Sequence, residues 1–548
     1  MRLRRRPGLT RRHFLRAGLA AGSLPWLAAC GESGAPVSSR EPAASTAFRH
    51  GVASGDPLAD RVLLWTRVTP AAGQAALPVR LSVYADPGLE TLIDQRETEA
   101  RAERDYTVKI DLDGLQPGQT VYYRFEAEGA QSPVGRARTL PAAGVERLRF
   151  GVVACSQYTN GYFNAYAALA QRADLEAILH LGDYLYEAEY VPVVAERAHT
   201  PPREITTLAD YRERHAQYKT DPDLQALHRQ HPMIAIWDDH ESTDNSYRDS
   251  ARNHTEGPPP EGEGRWLQRK AWAQQAYFEW MPIREQAPGD VDRIYRRFAY
   301  GDLAELVMLD TRLQRDVAPA DFPAPCEPSL SDPARQMLGA TQEAWFAETL
   351  RASTARWRVV GSSVMFGQWK VAGAPNAACG GQYLNADQWD GYQAARDRVF
   401  ALLSGADGGA PVRNSVFLAG DIHSAWALDL TEDPNNPATY DPVSGRGVRA
   451  VEFVCNSVTS DFPTPGDSGA AFLSANPAIR YIQTASRGYL LLDIDREQVT
   501  GEFWLTPDVS RRSAEERFAR GYSSRHEAQS LSLVTAPREP APAPPLAP

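Results

Sequence analysis

The stretch Ala177-Ile178-Leu179-His180-Leu181-Gly182-Asp183-Tyr184-Leu185-Tyr186-Glu187 decides the fold class, because a nearly uninterrupted apolar run gives way abruptly to acids and phenols. A run this short and this apolar reads as a strand covered on both faces. The polar groups beyond it then lie where a rigid sheet opens into loops. His180, alone in the run, reads as a hydrogen-bonded core residue.

The same texture recurs along the chain. Residues 148–154 lead into Cys155 and Ser156, and 233–237 into Asp238, Asp239, His240 and Glu241. Residues 303–309 lead into Asp310, Thr311 and Arg312, and 415–419 into Gly420, Asp421, Ile422 and His423. Another apolar run at 357–366, and helical patterns at 265–280, 341–353 (Thr341 as its cap) and 387–402, complete an alternation that predicts an α/β layered core. Side chains at the ends of separate strands can converge on one site while far apart in sequence.

At 548 residues the chain exceeds what a single hydrophobic core serves, so two folded units are expected. Short alternating runs at 62–68, 79–84, 106–112 and 121–126, separated by turn residues such as Gln116, Pro117 and Gly118, predict a small all-β sandwich over 48–142. The α/β core is expected over 146–534, and the Pro- and Ala-rich 535–548 as a disordered or extended tail. Net charge is −11, and −18 once the seven arginines of residues 1–29 are set aside. With no Lys/Arg run beyond that segment, the charge argues against nucleic-acid binding, and an anionic substrate would need metal cations in its site.

Residues 1–30 read as a targeting segment: an Arg-rich start, then Thr10, Arg11, Arg12, His13, Phe14 and Leu15, then a short apolar stretch. The order resembles a twin-arginine signal, which implies the twin-arginine translocase as partner and a secreted or periplasmic protein. Leu27, Ala28, Ala29 and Cys30 resemble a lipoprotein processing box, so Cys30 is either a lipidated first residue or an incidental thiol. Residues 31–47 form a polar linker. Cys326 and Cys379, both in Pro/Gly-rich loops, could pair in an oxidising compartment, whereas Cys455 reads as buried strand.

Taken together, the five strand ends resemble the calcineurin-like metallophosphoesterases. Cys at the first motif, Asp-Asp-His-Glu at the third and Asp-Ile-His at the last are similar to the PhoD-type alkaline phosphatases. The resemblance covers nearly the whole chain and implies helices packed on a two-sheet β-sandwich, preceded by an immunoglobulin/fibronectin-like domain. It implies Asp183 as the carboxylate shared by two metals, with Cys155, Tyr186 and His423 completing the first site. That anionic set suits Fe(III), with Zn²⁺ the alternative. Asp239 and Asp421 would hold the second metal. Related enzymes add an isolated His there, but this chain has none between His254 and His423. An all-oxygen site favours one or two Ca²⁺, ahead of Mg²⁺ or Mn²⁺.

The resemblance further implies hydrolysis of phosphate mono- and diesters, with a hydroxide held between the metals attacking phosphorus in line. His240 would contact the phosphate and protonate the leaving oxygen, with Glu241 and Asp244 as its orienting groups and Asp238 as a further orienter. Arg312 reads either as a phosphate clamp or as an ion-pair partner of Asp310 or a neighbouring acid. Trp389 and Tyr392 read as core or as a substrate wall. Two other functions stay open: a phosphodiesterase or phospholipase D-like enzyme, and a cell-surface binding protein with a degenerate fold. The latter has no need to keep Asp183, Asp239, His240, Asp421 and His423 together. The chain is expected to be a monomer that meets a membrane only through Cys30.

Overall fold

A computed structural model describes residues 46–548, apart from 72, 320–321, 384–385, 464–465 and 467–468. The targeting segment, Cys30 and nearly all of the linker lie outside the described residues.

Two sheets face each other across one apolar core. The first has ten strands, in the order Ser532–Val534, Arg517–Arg525, Gln498–Thr506, Arg487–Asp495, Arg147–Val153, Ala177–His180, Pro232–Ala235, Val52–Gly55, Arg61–Arg67 and Thr107–Asp113. Arg147–Val153, Ala177–His180 and Pro232–Ala235 run parallel, so the loops that follow them emerge on the same side. The second sheet has seven strands, in the order Arg296–Tyr300, Ala304–Met308, Trp357–Gly361, Ser415–Ala419, Ala450–Val454, Ala425–Leu430 and Ile479–Gln483. Its parallel run is Ala304–Met308, Trp357–Gly361, Ser415–Ala419 and Ala450–Val454.

The two-residue period of a strand explains why these runs are apolar throughout. Leu306, Met308, Val359, Val416 and Leu418 face the first sheet, where they meet Val152, Ile178 and Leu490. Their neighbours Val307, Val360 and Phe417 face outward and are covered by Phe346 and Leu350 of the helix Gly339–Ala352 and by Val399 and Phe400 of the helix Gln393–Ser404. Each such side chain contributes about 1.5–3 kcal/mol on burial. The expected layered α/β architecture is therefore present.

Local boundaries differ from the sequence reading. The helix expected over 341–353 begins at Gly339, placing Thr341 inside it rather than at its cap. The helix expected over 387–402 begins only at Gln393, after a short 3-10 turn at Trp389–Gly391, which leaves Asp387 and Gln388 to a loop. Trp389 and Tyr392 are buried in the outer apolar cluster and are core.

The N-terminal unit is β-rich, as expected, but it is not a free-standing sandwich. Leu92–Arg101, Ala76–Tyr84, Thr120–Ala127, Ala130–Gln131 and Gly135–Arg138 form a sheet of their own, whereas Val52–Gly55, Arg61–Arg67 and Thr107–Asp113 are the edge of the ten-stranded sheet. Val52–Gly55 joins that sheet by parallel pairing with Pro232–Ala235. Val62, Leu64 and Leu112 still meet Leu81, Val83 and Phe125 across a closed apolar core.

The Pro-rich tail is extended but docked. Arg538 pairs with Asp493 at 2.9 Å and Asp495 at 2.7 Å, Ala541 N donates to Asp174 Oδ2 at 2.9 Å, and Ala547 exchanges hydrogen bonds with the Gln230 amide at 2.8 and 2.9 Å. A segment with so few N–H groups cannot join a ladder, and its carbonyls are satisfied by other side chains instead. Cys326 and Cys379 are disulfide-bonded, while Cys155 and Cys455 are free and buried. Among the described residues no helix is long and apolar enough to cross a membrane.

Candidate metal centre

Four of the residues expected to bind metal share an uncommon backbone. Cys155 (φ 60°), Asp183 (φ 53°), Asp421 (φ 63°) and His423 (φ 54°) all lie in the left-handed region. Each such residue costs on the order of 1–3 kcal/mol and persists only where its surroundings impose it. The glycines before the two aspartates show part of that constraint. A Cβ on Gly182 would lie 2.5 Å from Asp238 Cβ, and one on Gly420 would lie 2.6 Å from Ala154 Cβ. Gly-Asp at both strand ends therefore lets neighbouring loops approach closely enough for their ligands to meet.

Those ligands form overlapping groups. Donor atoms of Cys155, Asp183 and His423 lie within 4.8 Å of one another, as do those of Asp183, Asp239 and His240, and those of Asp238, Asp239 and Asp421. Asp183 is common to the first two groups and Asp239 to the last two. The Tyr186 hydroxyl joins the first group, donating to Asp183 Oδ2 at 3.0 Å and lying 3.2 Å from His423 Nε2. Tyr186 stands three residues after Asp183, so a single turn delivers both groups to one place.

The chemistry of this set fits cations. Asp183, Asp238, Asp239 and Asp421 are all at most 2% exposed, and Asp183 Oδ1 has no hydrogen-bond partner among the described residues. Burial raises the Asp183 carboxyl well above its usual range, with Asp239, Asp238 and Glu241 adding to a rise that His240 opposes. Burial likewise pushes the Cys155 thiol up, and Asp183 and Asp421 push it further. Groups this destabilised as anions call for positive charge between them. The Cys155, Asp183, Tyr186 and His423 donors suit a transition metal, and the carboxylates of Asp183, Asp238, Asp239 and Asp421 offer a harder, all-oxygen environment.

His240 lies beside the shared acids, and its Nδ1 is 2.7 Å from Glu187 Oε2. Burial disfavours its cation, yet Glu187, Asp183 and Asp239 outweigh that and raise its pKa well above the ordinary value.

Residues 150–503 match the PhoD-like phosphatase family, and residues 33–141 match the N-terminal domain of PhoD-like phosphatases. Alkaline phosphatase D of Bacillus subtilis (strain 168) is 35% identical over 491 residues, covering 85% of this chain and 79% of that relative. The chain belongs to the PhoD-like phosphatase family. A solved structure of PhoD matches with a TM-score of 0.80 at 33% identity, over 92% of this chain and 94% of that one. As a PhoD-like phosphatase, the chain is a phosphoric ester hydrolase, and the reading as a degenerate binding protein is set aside.

Within this PhoD-like site the roles of several residues differ from the sequence reading. Glu187, not Glu241 or Asp244, presents the carboxylate to His240 Nδ1. Glu241 instead accepts three backbone N–H groups, from Asp183 at 3.1 Å, Tyr184 at 2.6 Å and Asp238 at 2.9 Å, and so ties the second and third strand-end loops together. Asp244 donates its backbone N–H to Glu187 Oε1 at 2.8 Å, which holds the partner of His240 in place.

Arg312 is fully buried, and its guanidinium is given to acids. It pairs with Asp238 and Asp387, and reaches Asp421 Oδ1 at 2.9 Å and Asp239 Oδ1 at 3.7 Å. Asp310 takes the backbone N–H of Arg312 at 2.9 Å rather than its fork. This geometry favours the ion-pair reading over an open phosphate clamp, and it makes Asp238 a partner of Arg312. Asp387 itself is pinned by Arg312 and Arg315, which hold its carboxyl down at about 2 against the opposing effect of burial. Gln388 donates to the Asp421 carboxylate. Neither Asp387 nor Gln388 stood out in sequence, because the helical pattern around them masked the loop that carries them inward.

Proposed function

We propose that this chain is an exported, metal-dependent alkaline phosphatase hydrolysing phosphate mono- and diesters. The observation that carries the reading is the gathering of Cys155, Asp183, Tyr186, Asp239, Asp421 and His423 into overlapping groups linked through Asp183 and Asp239, with the His240–Glu187 pair beside them. Cys155, Asp183, Tyr186 and His423 would hold Fe(III), and Asp183, Asp239 and Asp421 would hold Ca²⁺. Metal held by these residues would supply Lewis acidity toward water and positive charge for the phosphoryl oxygens.

The chain's own residues do the rest. Glu187 accepts a hydrogen bond from His240 Nδ1–H and, with Asp183 and Asp239, favours the ring protonated on both nitrogens, so that Nε2–H is the group that hands a proton to the leaving oxygen. Glu241 keeps Asp183 and Asp238 in register through three N–H contacts. Arg312 offsets the repulsion among Asp238, Asp239 and Asp421, so that these carboxylates stay assembled. The twin-arginine-like order of residues 10–15 supports export through that translocase, and Cys30 supports a lipid anchor. The chain is proposed to act as a monomer.

The test is hydrolysis of p-nitrophenyl phosphate and bis-p-nitrophenyl phosphate by purified protein, with elemental analysis of the same sample. Turnover of both at alkaline pH, with iron and calcium present, is expected. Turnover of the diester alone would replace phosphatase by phosphodiesterase, and protein active without bound metal would overturn the reading.

A further inference from the structure

Three of the four residues assigned to the first metal are held by one three-residue segment, Thr459, Ser460 and Asp461, which follows the strand Ala450–Val454: Tyr186 and His423 by their side chains and Cys155 by its backbone carbonyl. The Ser460 hydroxyl lies 2.7 Å from the Tyr186 hydroxyl and 3.0 Å from the carbonyl oxygen of Cys155. Thr459 N and Ser460 N both donate to that same carbonyl at 3.3 Å. Asp461 O lies 2.9 Å from His423 Nδ1.

Each contact settles something the ligand cannot settle for itself. A tyrosine hydroxyl can swing with its ring, and Ser460 fixes it at the meeting point of Asp183 and His423. An imidazole can carry its proton on either nitrogen, and a carbonyl on Nδ1 keeps the proton there and turns Nε2 inward. Cys155 holds a left-handed backbone (φ 60°), and the Thr459 and Ser460 N–H groups on its carbonyl oppose any relaxation of that strain.

The segment is itself braced from outside the centre. Thr459 Oγ1 donates to Gln157 O at 2.8 Å, Ser457 Oγ to Ser460 O at 2.6 Å, and Arg487 Nε to Thr459 O at 3.1 Å, while Arg487 also pairs with Asp461. Thr459 and Ser460 are completely buried.

We infer that Ser460 is a positioning residue for the first metal site, acting through Tyr186 and Cys155, and that the Thr459–Asp461 segment presets that site before any ion enters. The inference rests on the metal-dependent reading above. It assigns the segment no contact with substrate.

The experiment compares the full-length chain with its Ser460→Ala and Ser460→Thr variants, each stripped with chelator and titrated separately with Zn²⁺ and with Ca²⁺. Ser460→Ala is expected to bind Zn²⁺ about 10–100-fold more weakly, the usual effect of removing a group that orients a ligand, with Ca²⁺ affinity unchanged. Ser460→Thr keeps the hydroxyl and is expected to recover Zn²⁺ affinity. Unaltered Zn²⁺ binding by Ser460→Ala overturns the inference. So does equal weakening of both ions together with a collapsed melting midpoint of the metal-free variant, which would make Ser460 merely structural. Failure of the unmutated chain to bind either ion would count against the metal-dependent reading instead.

Discussion

Glu187 Oε2 sits 2.7 Å from Nδ1 of His240, and both side chains are almost sealed from solvent. Glu187 belongs to the second strand-end loop and His240 to the third, so the pair forms only when the two loops are closed against each other. His240→Ala is expected to lower kcat by about 10²–10⁴-fold, the usual contribution of a positioned proton donor. Glu187→Gln is expected to lower it by about 10–100-fold, because the ring loses its orienting charge but not its donor. Steady-state kinetics should show both effects in kcat with KM little changed.

Removing metal should cost stability as well as activity. Asp183, Asp238, Asp239 and Asp421, all nearly inaccessible, then face one another, with the Arg312 guanidinium reaching the last three. Ions bound at 1,000 times their dissociation constant stabilise by about 4 kcal/mol each. Calorimetry before and after chelation should show the melting midpoint fall, and restored metal should return both the midpoint and the activity.

Arg312→Met leaves Asp238, Asp387 and Asp421 without their common partner. Breaking a buried pair from one side costs roughly 3–5 kcal/mol. Urea denaturation is expected to show a loss of that size. Unchanged stability with a raised KM would instead restore Arg312 as a phosphate clamp.

Glu241→Ala strands three buried N–H groups, those of Asp183, Tyr184 and Asp238. Each unsatisfied group costs about 1–3 kcal/mol. The variant is expected to be destabilised by several kcal/mol and to retain less metal, both measurable on one purified sample.

Acid should destabilise this protein through its buried histidines. Burial lowers His50 to about 2 and His180 and His231 to about 3, and it lowers His199, His215 and His228 as well. The unfolded chain takes up these protons near pH 6.5, before the folded chain does. The contribution of these histidines is therefore complete above about pH 6.5 and is lost as pH falls from there towards about 3, at roughly 1.4 kcal/mol per pH unit for each. Urea midpoints measured at pH 7.5, 6 and 5 should decline in that order.

Much of the site was legible in the sequence because strand ends are local features. Asp183, Tyr186, Asp239, His240, Asp421 and His423 each follow an apolar run directly, and a parallel sheet carries such ends to one side whatever lies between them. The alternation that marked an α/β core has the same origin, since strands covered on both faces must be apolar throughout.

Pairing and partners were decided by the tertiary structure alone. Alternation marked 62–68 and 106–112 as strands but carried no information on which sheet they would edge, since an edge is chosen by what lies beside it. The carboxylate on His240 is Glu187 rather than Glu241 or Asp244, because hydrogen bonding follows distance between loops and not spacing along the chain. Ser460, the hydroxyl beside Tyr186 and Cys155, lies 274 residues beyond one and 305 beyond the other, a contact that only the closed sandwich can make.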